Sequence, residues 1–263
     1  MTRRLVFAVL LLLAPAGASA LDEQTRTIPT RPDVTESFVL IHPSRPPVAS
    51  VILFMGGRGA LGLQRGPLTA RNTNFLVRMR QRFAEKGLLV AVVDVPSDRT
   101  GQAMVGFRTS GEHATDVRAL IATLHAEAPV PVWLVGTSMG SVSAASVAAR
   151  LTDGGPDGVV LTSSVTVRPR EMGESLQGVA LDRIRVPVLL VHHRDDGCPS
   201  SRYADTSWAM RRLSSTPKKE LLTFSGGDAP QSPPCEPLAP HGYFGIEERV
   251  VDAIVTWITA AKP

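Results

Sequence analysis

Residues 131–142 read PVWLVGTSMGSV, and this stretch determines the organisation that we predict for the whole chain. The apolar run at residues 132–135 predicts a buried strand, and the alanine-rich run at 141–151 predicts a helix. Between them, Gly136-Thr137-Ser138-Met139-Gly140 fits the pattern G-x-S-x-G. So tight a turn strains the backbone of its serine and needs glycines where the strand and helix nearly touch. We predict an exposed, reactive Ser138 Oγ; the alternative is a glycine-rich turn with a structural serine.

Apolar runs and helical periodicity alternate along the rest of the chain. Residues 21–33 predict an extended arm, and residues 166–183 an irregular linker. The further strands are predicted at 37–41, 49–54, 88–94, 157–161, 186–192 and 219–224, and the further helices at 74–86, 115–126, within 198–213, and at 245–261. Near-continuous apolar strands alternating with helices favour a mostly parallel sheet covered on both faces. The fold class is therefore α/β with three layers, in one domain over residues 21–263.

The first twenty residues have the composition of a secretory signal peptide. Arg3 and Arg4 give a charged start, residues 5–13 are apolar, and Ala18-Ser19-Ala20 is a small-residue cleavage site. The apolar run is too short to cross a bilayer, and no later stretch is typical of a membrane span. We expect a mature protein that begins near Leu21 and is periplasmic or secreted. The alternative is a retained membrane anchor.

Charge and cysteine content restrict the partners and the compartment. The net charge of +4 gives no electrostatic support for a nucleic-acid partner. The two cysteines, Cys198 and Cys235, predict a disulfide in an exported protein, whereas unpaired thiols are the alternative. The sequence has no metal-ligand cluster, phosphate-binding loop or cofactor fingerprint, so we expect neither a metal nor a cofactor.

A serine nucleophile requires a base and an acid that orients the base. The acid candidates are Asp195 and Asp196, directly after the strand predicted at 186–192. Both carboxylates could instead cap a helix predicted to begin near residue 200. The base candidate is His241, in a loop between the last strand and the last helix. A lone loop histidine is more often a surface residue, so its sequence context matters.

The elbow GTSMG, the segment DDGC and the segment HGY together resemble the α/β-hydrolase superfamily, over residues 48–263. The acid segment is similar to a strand followed by G-x-x-D, with His193 in place of the glycine, and this register favours Asp196 over Asp195. The HGY segment resembles that of the catalytic histidine, which implies His241. A Cys198–Cys235 bond would join the acid loop to the histidine loop.

The resemblance also implies an oxyanion hole of two backbone N–H groups. One would belong to Met139, directly after the serine. The segment FMGGRG at residues 54–59 resembles an H-G-G-G loop with Met55 in place of the histidine, and its register indicates Gly57. The alternative is a flexible turn. Arg58, the neighbour, is a candidate for binding an anionic group of a substrate.

The implied function is hydrolysis of a small-molecule ester by an exported serine hydrolase with a Ser-His-Asp triad. The short 166–183 linker implies little or no lid and a likeness to small carboxylesterases and dienelactone-hydrolase-like enzymes. Two alternatives remain open. One is a peptidase, thioesterase or acyltransferase with the same triad, and the other is a non-catalytic exported binding protein.

Overall fold

One eight-stranded sheet forms the centre of the molecule in a computed structural model that describes residues 21–68 and 72–260. The signal peptide predicted at residues 1–20 lies outside the described residues. The strands are β1 Glu23–Arg31, β2 Val34–Ile41, β3 Ala49–Phe54, β4 Leu88–Val93, β5 Val132–Thr137, β6 Gly158–Thr162, β7 Val188–His193 and β8 Lys219–Phe224, in the order β1-β2-β4-β3-β5-β6-β7-β8. Only β1/β2 and β2/β4 pair antiparallel, so the predicted mostly parallel sheet is confirmed.

Helices cover both faces of the sheet, as the near-continuous apolar strands predict. The helices are α1 Phe75–Arg78, α2 Arg80–Glu85, α3 Gly111–Glu127, α4 Met139–Arg150, α5 Thr206–Arg212 and α6 Glu247–Ala260. The inward-facing side chains of α3 and α4 pack on one face and those of α1, α2 and α6 on the other. On the second face Trp133 of β5 meets Trp257 of α6 edge-on, with 5.6 Å between ring centroids. The result is the predicted three-layer arrangement.

Two expectations about local structure are wrong. The extended arm predicted at residues 21–33 contains β1, which pairs with β2 from Glu23 opposite Ile41 to Arg31 opposite Val34. A polar strand containing Pro29 is tolerated there because it lies at the sheet edge. The helix predicted at 74–86 is divided at Met79 into α1 and α2. The backbone N–H of Met79 still donates to the carbonyl oxygen of Phe75, as in a continuous helix.

The parallel register brings the carboxyl ends of six strands, β3 to β8, to one edge of the sheet. Phe54 of β3 lies opposite Gly136 of β5, and Thr137 lies opposite Thr162 of β6. The loops after β3, β5, β7 and β8, which carry the predicted site residues, therefore start at the same edge. Between β6 and β7 the described chain forms only two short 3-10 helices, Leu176–Gly178 and Leu181–Arg183, and no inserted domain. Among the described residues, no helix has the length and apolarity needed to cross a membrane.

Candidate active site

Ser138 occupies a strained turn between β5 and α4. Its φ of 53° and ψ of −125° lie outside the regions usual for a residue with a side chain. Hydrogen bonds fix this conformation: Ser138 N donates to Thr162 O at 3.0 Å, and Ser141 N donates to Ser138 O at 3.0 Å. A side chain at Gly136 would collide with the backbone of Gly140, and one at Gly140 with the carbonyl of Phe54. The two glycines of the motif are therefore required by close backbone contact.

Asp196 is a buried carboxylate with several donors. Its Oδ2 lies 2.8 Å from His241 Nδ1 and accepts from Ser201 Oγ at 3.0 Å. Its Oδ1 accepts from Cys198 N at 2.9 Å, and His192 Nε2 lies 3.4 Å from Oδ2. Burial alone would raise its pKa, but the hydrogen bonds from His192, His241 and Cys198 hold the pKa of Asp196 well below its usual value. The side chain is therefore a carboxylate at neutral pH.

Asp195, the alternative acid, lies in a different environment. Its side chain is 66% exposed, and no hydrogen bond joins it to His241. Its backbone N–H donates to Nδ1 of His193 at 3.0 Å, so the proton of that ring is on Nε2, which donates to Gly226 O at 2.8 Å. The nearby helix α5 begins only at Thr206, so neither Asp195 nor Asp196 caps it.

His241 lies in a short 3-10 helix, Pro240–Gly242, in the loop that follows β8. Its ring is buried, Nδ1 is bonded to Asp196, and Nε2 has no hydrogen-bond partner within the described part of the chain. Ser138 and His241 line the same cleft, and no hydrogen bond joins Ser138 Oγ to His241 Nε2. Because Nδ1 is occupied by the carboxylate, Nε2 is the nitrogen available to exchange a proton.

The histidine loop has several anchors that the sequence does not reveal. Tyr243, held at a left-handed φ of 59°, donates from its buried hydroxyl to β7 and accepts from Ser163 N at 3.2 Å. Ser163 Oγ donates to the backbone carbonyl of His241 at 2.7 Å. From α1, Arg78 donates to Gly242 O at 2.7 Å. Burial raises the pKa of the Tyr243 phenol, so it remains a hydrogen-bond donor. Of these anchors, only Tyr243 lies within one of the motif segments of the sequence analysis, the segment HGY.

Cys198 and Cys235 form the predicted disulfide and line the cleft. The bond joins the loop after β7 to the loop after β8. Cys198 also donates its N–H to Asp196, so the covalent link and the hydrogen bond meet at one residue of the acid loop.

The loop after β3 lies directly beside Ser138. A Cβ added to Gly56 would lie 2.9 Å from the Cβ of Ser138. Gly57 has a left-handed φ of 57°, and its carbonyl accepts from Nη2 of the buried Arg108 at 3.0 Å. Among residues 21–68 and 72–260, neither the N–H of Gly57 nor that of Met139 has a hydrogen-bond partner. The two predicted oxyanion donors are therefore free and come from neighbouring elements.

A cleft of about 440 Å³ contains Ser138 and His241. Its apolar lining is formed by Met55, Phe75, Met139, Val165, Pro169 and Met172. Two exposed charged residues, Arg58 and Glu236, also border it. The Nη2 of Arg58 lies 3.5 Å from the carbonyl oxygen of Gln102. The cleft therefore combines apolar walls with one residue of each charge.

Similar folds occur among solved structures. A dienelactone hydrolase from Anabaena variabilis is 17% identical, with a TM-score of 0.66 over 93% of this chain and 100% of that chain. A Pyrococcus furiosus esterase is 14% identical, with a TM-score of 0.66 over 90% of this chain and 91% of that chain. A Xanthomonas campestris protein described as an α/β serine hydrolase without a lid is 16% identical, with a TM-score of 0.56 over 95% and 100% of the two chains. Neither a family model nor a curated protein sequence matches this chain.

These similarities show that the chain has the α/β-hydrolase fold, as the motifs implied. They also agree with the absence of an inserted domain between β6 and β7 in the described chain.

Proposed function

We propose that this protein is an exported serine hydrolase that cleaves a carboxylic ester through an acyl-enzyme on Ser138. The observation that carries the proposal is the 2.8 Å bond between His241 Nδ1 and the buried Asp196, in a cleft that Ser138 also lines. The Nε2 of His241, which has no hydrogen-bond partner among the described residues, would serve as the base for the serine hydroxyl, and the carboxylate would orient that base.

In the first half of the reaction, Ser138 Oγ attacks the ester carbonyl carbon while His241 Nε2 accepts the hydroxyl proton. Asp196 stabilises the imidazolium that forms and keeps the proton of the resting ring on Nδ1. The ester carbonyl oxygen becomes an oxyanion that accepts from the N–H groups of Gly57 and Met139. Loss of one such donor typically costs about 10²–10³-fold in kcat. His241 then protonates the departing alkoxide, which leaves as the alcohol.

In the second half, water replaces the alcohol. His241 Nε2 removes a proton from this water as it attacks the acyl carbon, and the same ring returns the proton to Ser138 Oγ when the acid leaves. The mechanism requires Ser138 Oγ and His241 Nε2 to approach each other after substrate binds. Hydrogen bonds of this kind are often long in free enzymes and shorten when the substrate binds.

The cleft supports a small ester as the substrate. Its walls are more apolar than polar, and no domain is inserted over it in the described chain. The names of several fold neighbours, including the Pyrococcus furiosus esterase, agree with this choice. Arg58 would interact with an acidic group of the substrate if one is present. Arg58→Ala should then weaken turnover of acidic esters more than that of neutral esters, and an equal effect on both would reject this role.

Export is supported by the predicted signal peptide and by the disulfide, which is typical of oxidising compartments. The mature N-terminus tests it. Intact-mass measurement of the protein from its native host should give a chain that begins near Leu21. A mature chain that retains residues 1–20 would contradict export by signal cleavage.

A fluorophosphonate probe tests the nucleophile. The folded wild type should be labelled, and Ser138→Ala should not, because the probe reacts with an activated serine. A non-catalytic binding protein would show no labelling in either form. A panel of ester, thioester and amide substrates then separates the proposed esterase from the thioesterase and peptidase alternatives, and added alcohol acceptors reveal acyl transfer.

A further inference from the structure

Arg108 is a buried arginine that connects two parts of the proposed oxyanion hole. Its side chain is among the largest fully buried ones, and it lies in the segment between β4 and α3. Nη2 donates to Gly57 O at 3.0 Å, and Nη1 donates to Ser143 Oγ at 2.9 Å. Ser143 belongs to α4, the helix that begins with Met139. One guanidinium therefore bridges the loop of the first oxyanion donor and the helix of the second.

We infer that Arg108 is a positioning residue of the oxyanion hole, which holds the Gly57 loop against α4 so that the two N–H groups face one oxygen. The inference rests on the proposed serine hydrolase function and extends it to a residue that no motif identifies. Its basis is the pair of hydrogen bonds made by one guanidinium group. Because this group is planar and presents its donors in a fixed fork, it fixes the two acceptors relative to each other.

The backbone conformation of the Gly57 loop shows why a side chain that holds it in place is needed. Gly57 has a φ of 57°, so its conformation is one of several that glycine adopts easily. A hydrogen bond to its carbonyl fixes the peptide plane between Gly57 and Arg58, which restricts ψ of Gly57 and so limits the orientation of the residue that carries the proposed donor N–H. The loop also lies directly on Arg108: a Cβ added to Gly59 would be 2.7 Å from Nη2. Met104 N donates to Arg58 O at 2.9 Å and joins the same two segments.

The charge of Arg108 is not neutralised locally. In the described chain no carboxylate lies within ion-pairing distance of its guanidinium. Glu174, whose charge acts on Arg108 from farther away, instead accepts from Gly106 N at 3.1 Å and Thr109 N at 3.0 Å. Burial lowers the pKa of Arg108 to about 10, so the group is still charged at neutral pH. The guanidinium, which has no ion-pair partner in the described chain, therefore lies as a buried cation on the carbonyl side of Gly57, in the loop that carries the proposed oxyanion donor.

Arg31 provides a matched control. Its side chain is 16% exposed, and it joins β1 to α3 through an ion pair of 2.8 Å to Asp116 and to the segment before α3 through one of 3.0 Å to Asp98. It makes no hydrogen bond to the Gly57 loop or to α4. If Arg108 only stabilises the fold, Arg108→Met and Arg31→Met should change the kinetics alike.

Steady-state kinetics with p-nitrophenyl acetate, normalised to active sites by fluorophosphonate titration, separate the two roles. We expect Arg108→Met to lower kcat about 10- to 100-fold, because a displaced oxyanion donor acts on the transition state and not on bound substrate. KM should stay within about threefold of the wild type. Arg31→Met should lower the melting temperature and leave kcat within about twofold.

A tetrahedral adduct gives a second readout. An alkyl trifluoromethyl ketone adds to the serine and places an oxyanion in the hole, so its inhibition constant should rise in Arg108→Met by about the factor that kcat/KM falls. Arg108→Lys keeps the charge but cannot bridge Gly57 and Ser143 as a fork, and we expect kcat between those of the wild type and Arg108→Met. If Arg108→Met does not fold, Arg108→Lys decides the question.

The outcomes distinguish this inference from the function on which it rests. If the wild type is active and the Arg108 variants have the same kcat and ketone affinity as Arg31→Met, the proposed role of Arg108 is wrong. The hydrolase proposal is not affected by that result. A folded wild type that neither hydrolyses esters nor reacts with the fluorophosphonate would overturn the hydrolase proposal, and the inference with it.

Discussion

The Nε2 atom of His192 lies 3.4 Å from Oδ2 of Asp196, the same oxygen that binds His241. This Nε2 is also 3.0 Å from the carbonyl oxygen of Ser201, which can only accept, so Nε2 carries a proton that it donates to Ser201 while lying close to the Asp196 carboxylate. Two buried histidines therefore share one carboxylate, and only His241 also lines the cleft.

The first prediction concerns this second histidine. His192→Phe removes a donor that lowers the pKa of Asp196, and we expect kcat/KM for p-nitrophenyl butyrate to fall about 3- to 10-fold. Ser201→Ala, which removes a further side-chain donor to Oδ2 and leaves His241 in place, should have an effect of similar size. Wild-type kcat/KM in both variants would show that His241 alone sets the state of Asp196.

Reduction of the disulfide should impair turnover before it unfolds the protein. Cys198 and Cys235 are 37 residues apart, and chain entropy gives a bond of this span about 4 kcal/mol of stability. The local effect on activity comes first because the bond joins the acid loop to the histidine loop, although Tyr243 and Arg78 hold the histidine loop independently.

The measurement is activity and near-UV circular dichroism in increasing reductant, with free thiols counted at each step. The double variant Cys198→Ser/Cys235→Ser serves as the control for direct effects of the reductant. Full activity with both thiols free, at a temperature where the protein is folded, would reject the prediction.

Glu36 should make the protein less stable as pH rises. Burial raises the pKa of this side chain well above its usual value, and the nearby charges of Asp116 and Asp94 raise it further, while Arg31 opposes them. The folded protein therefore binds the Glu36 proton more tightly than the unfolded chain does. Its contribution to stability is complete at low pH and is lost as pH rises above the pKa of an unfolded glutamate.

Glu36→Gln keeps the shape without the charge. We expect a melting temperature close to that of the wild type at pH 4 and higher than it by at least about 3 °C at pH 8. Melting curves across this range provide the check. A variant that is less stable than the wild type at pH 8 would show that ionised Glu36 is accommodated in the fold.

His113 should make the protein less stable as pH falls, which is the opposite of the dependence expected for Glu36. Burial lowers its pKa to about 3, with further contributions from the charges of Arg108 and Arg31, and both ring nitrogens lack partners in the described chain. The ring is therefore neutral in the folded protein and protonated in the unfolded chain below the usual histidine pKa. The resulting stability is present at neutral pH and is lost as pH falls from about 6.5 towards 3.

His113→Phe tests this dependence, because the site is bordered by Phe54 and Phe107, each with its ring centroid 5.8 Å away. The variant should match or exceed wild-type stability at pH 7, and its advantage should grow as pH falls to 4. An advantage that stays constant over this range would mean that His113 does not titrate during unfolding.

The sequence predicts the parts of the fold that depend on local patterns. Periodicity and glycine spacing suffice to predict the strand, turn and helix around Ser138, although the contacts with Thr162 and Phe54 that hold this turn come from other strands. Near-continuous apolar strands suffice for a sheet buried on both faces. Strand β1 could not be predicted because this edge strand has no alternating or continuous apolar pattern. It is recognised as a strand only from its pairing with β2.

The side chains that hold the site residues in place could not be predicted in the same way. Arg108 reaches Gly57 across 51 positions of the chain, and Arg78 reaches Gly242 across 164. Neither arginine lies in a motif, and an arginine is normally exposed whether it lies in a loop, as Arg108 does, or on a helix, as Arg78 does, so their burial follows only from the three-dimensional path of the chain. The sequence named the groups expected to react, whereas the structure is needed to identify the side chains that hold them.

The acyl group itself provides the most direct test of the proposed reaction. The wild type is mixed with p-nitrophenyl acetate, quenched in acid within milliseconds to seconds, and analysed by intact mass and peptide mapping. We predict one acetyl group per chain, located on Ser138, and none in Ser138→Ala. Acetylation at another residue, or continued ester turnover by Ser138→Ala, would contradict catalysis by Ser138.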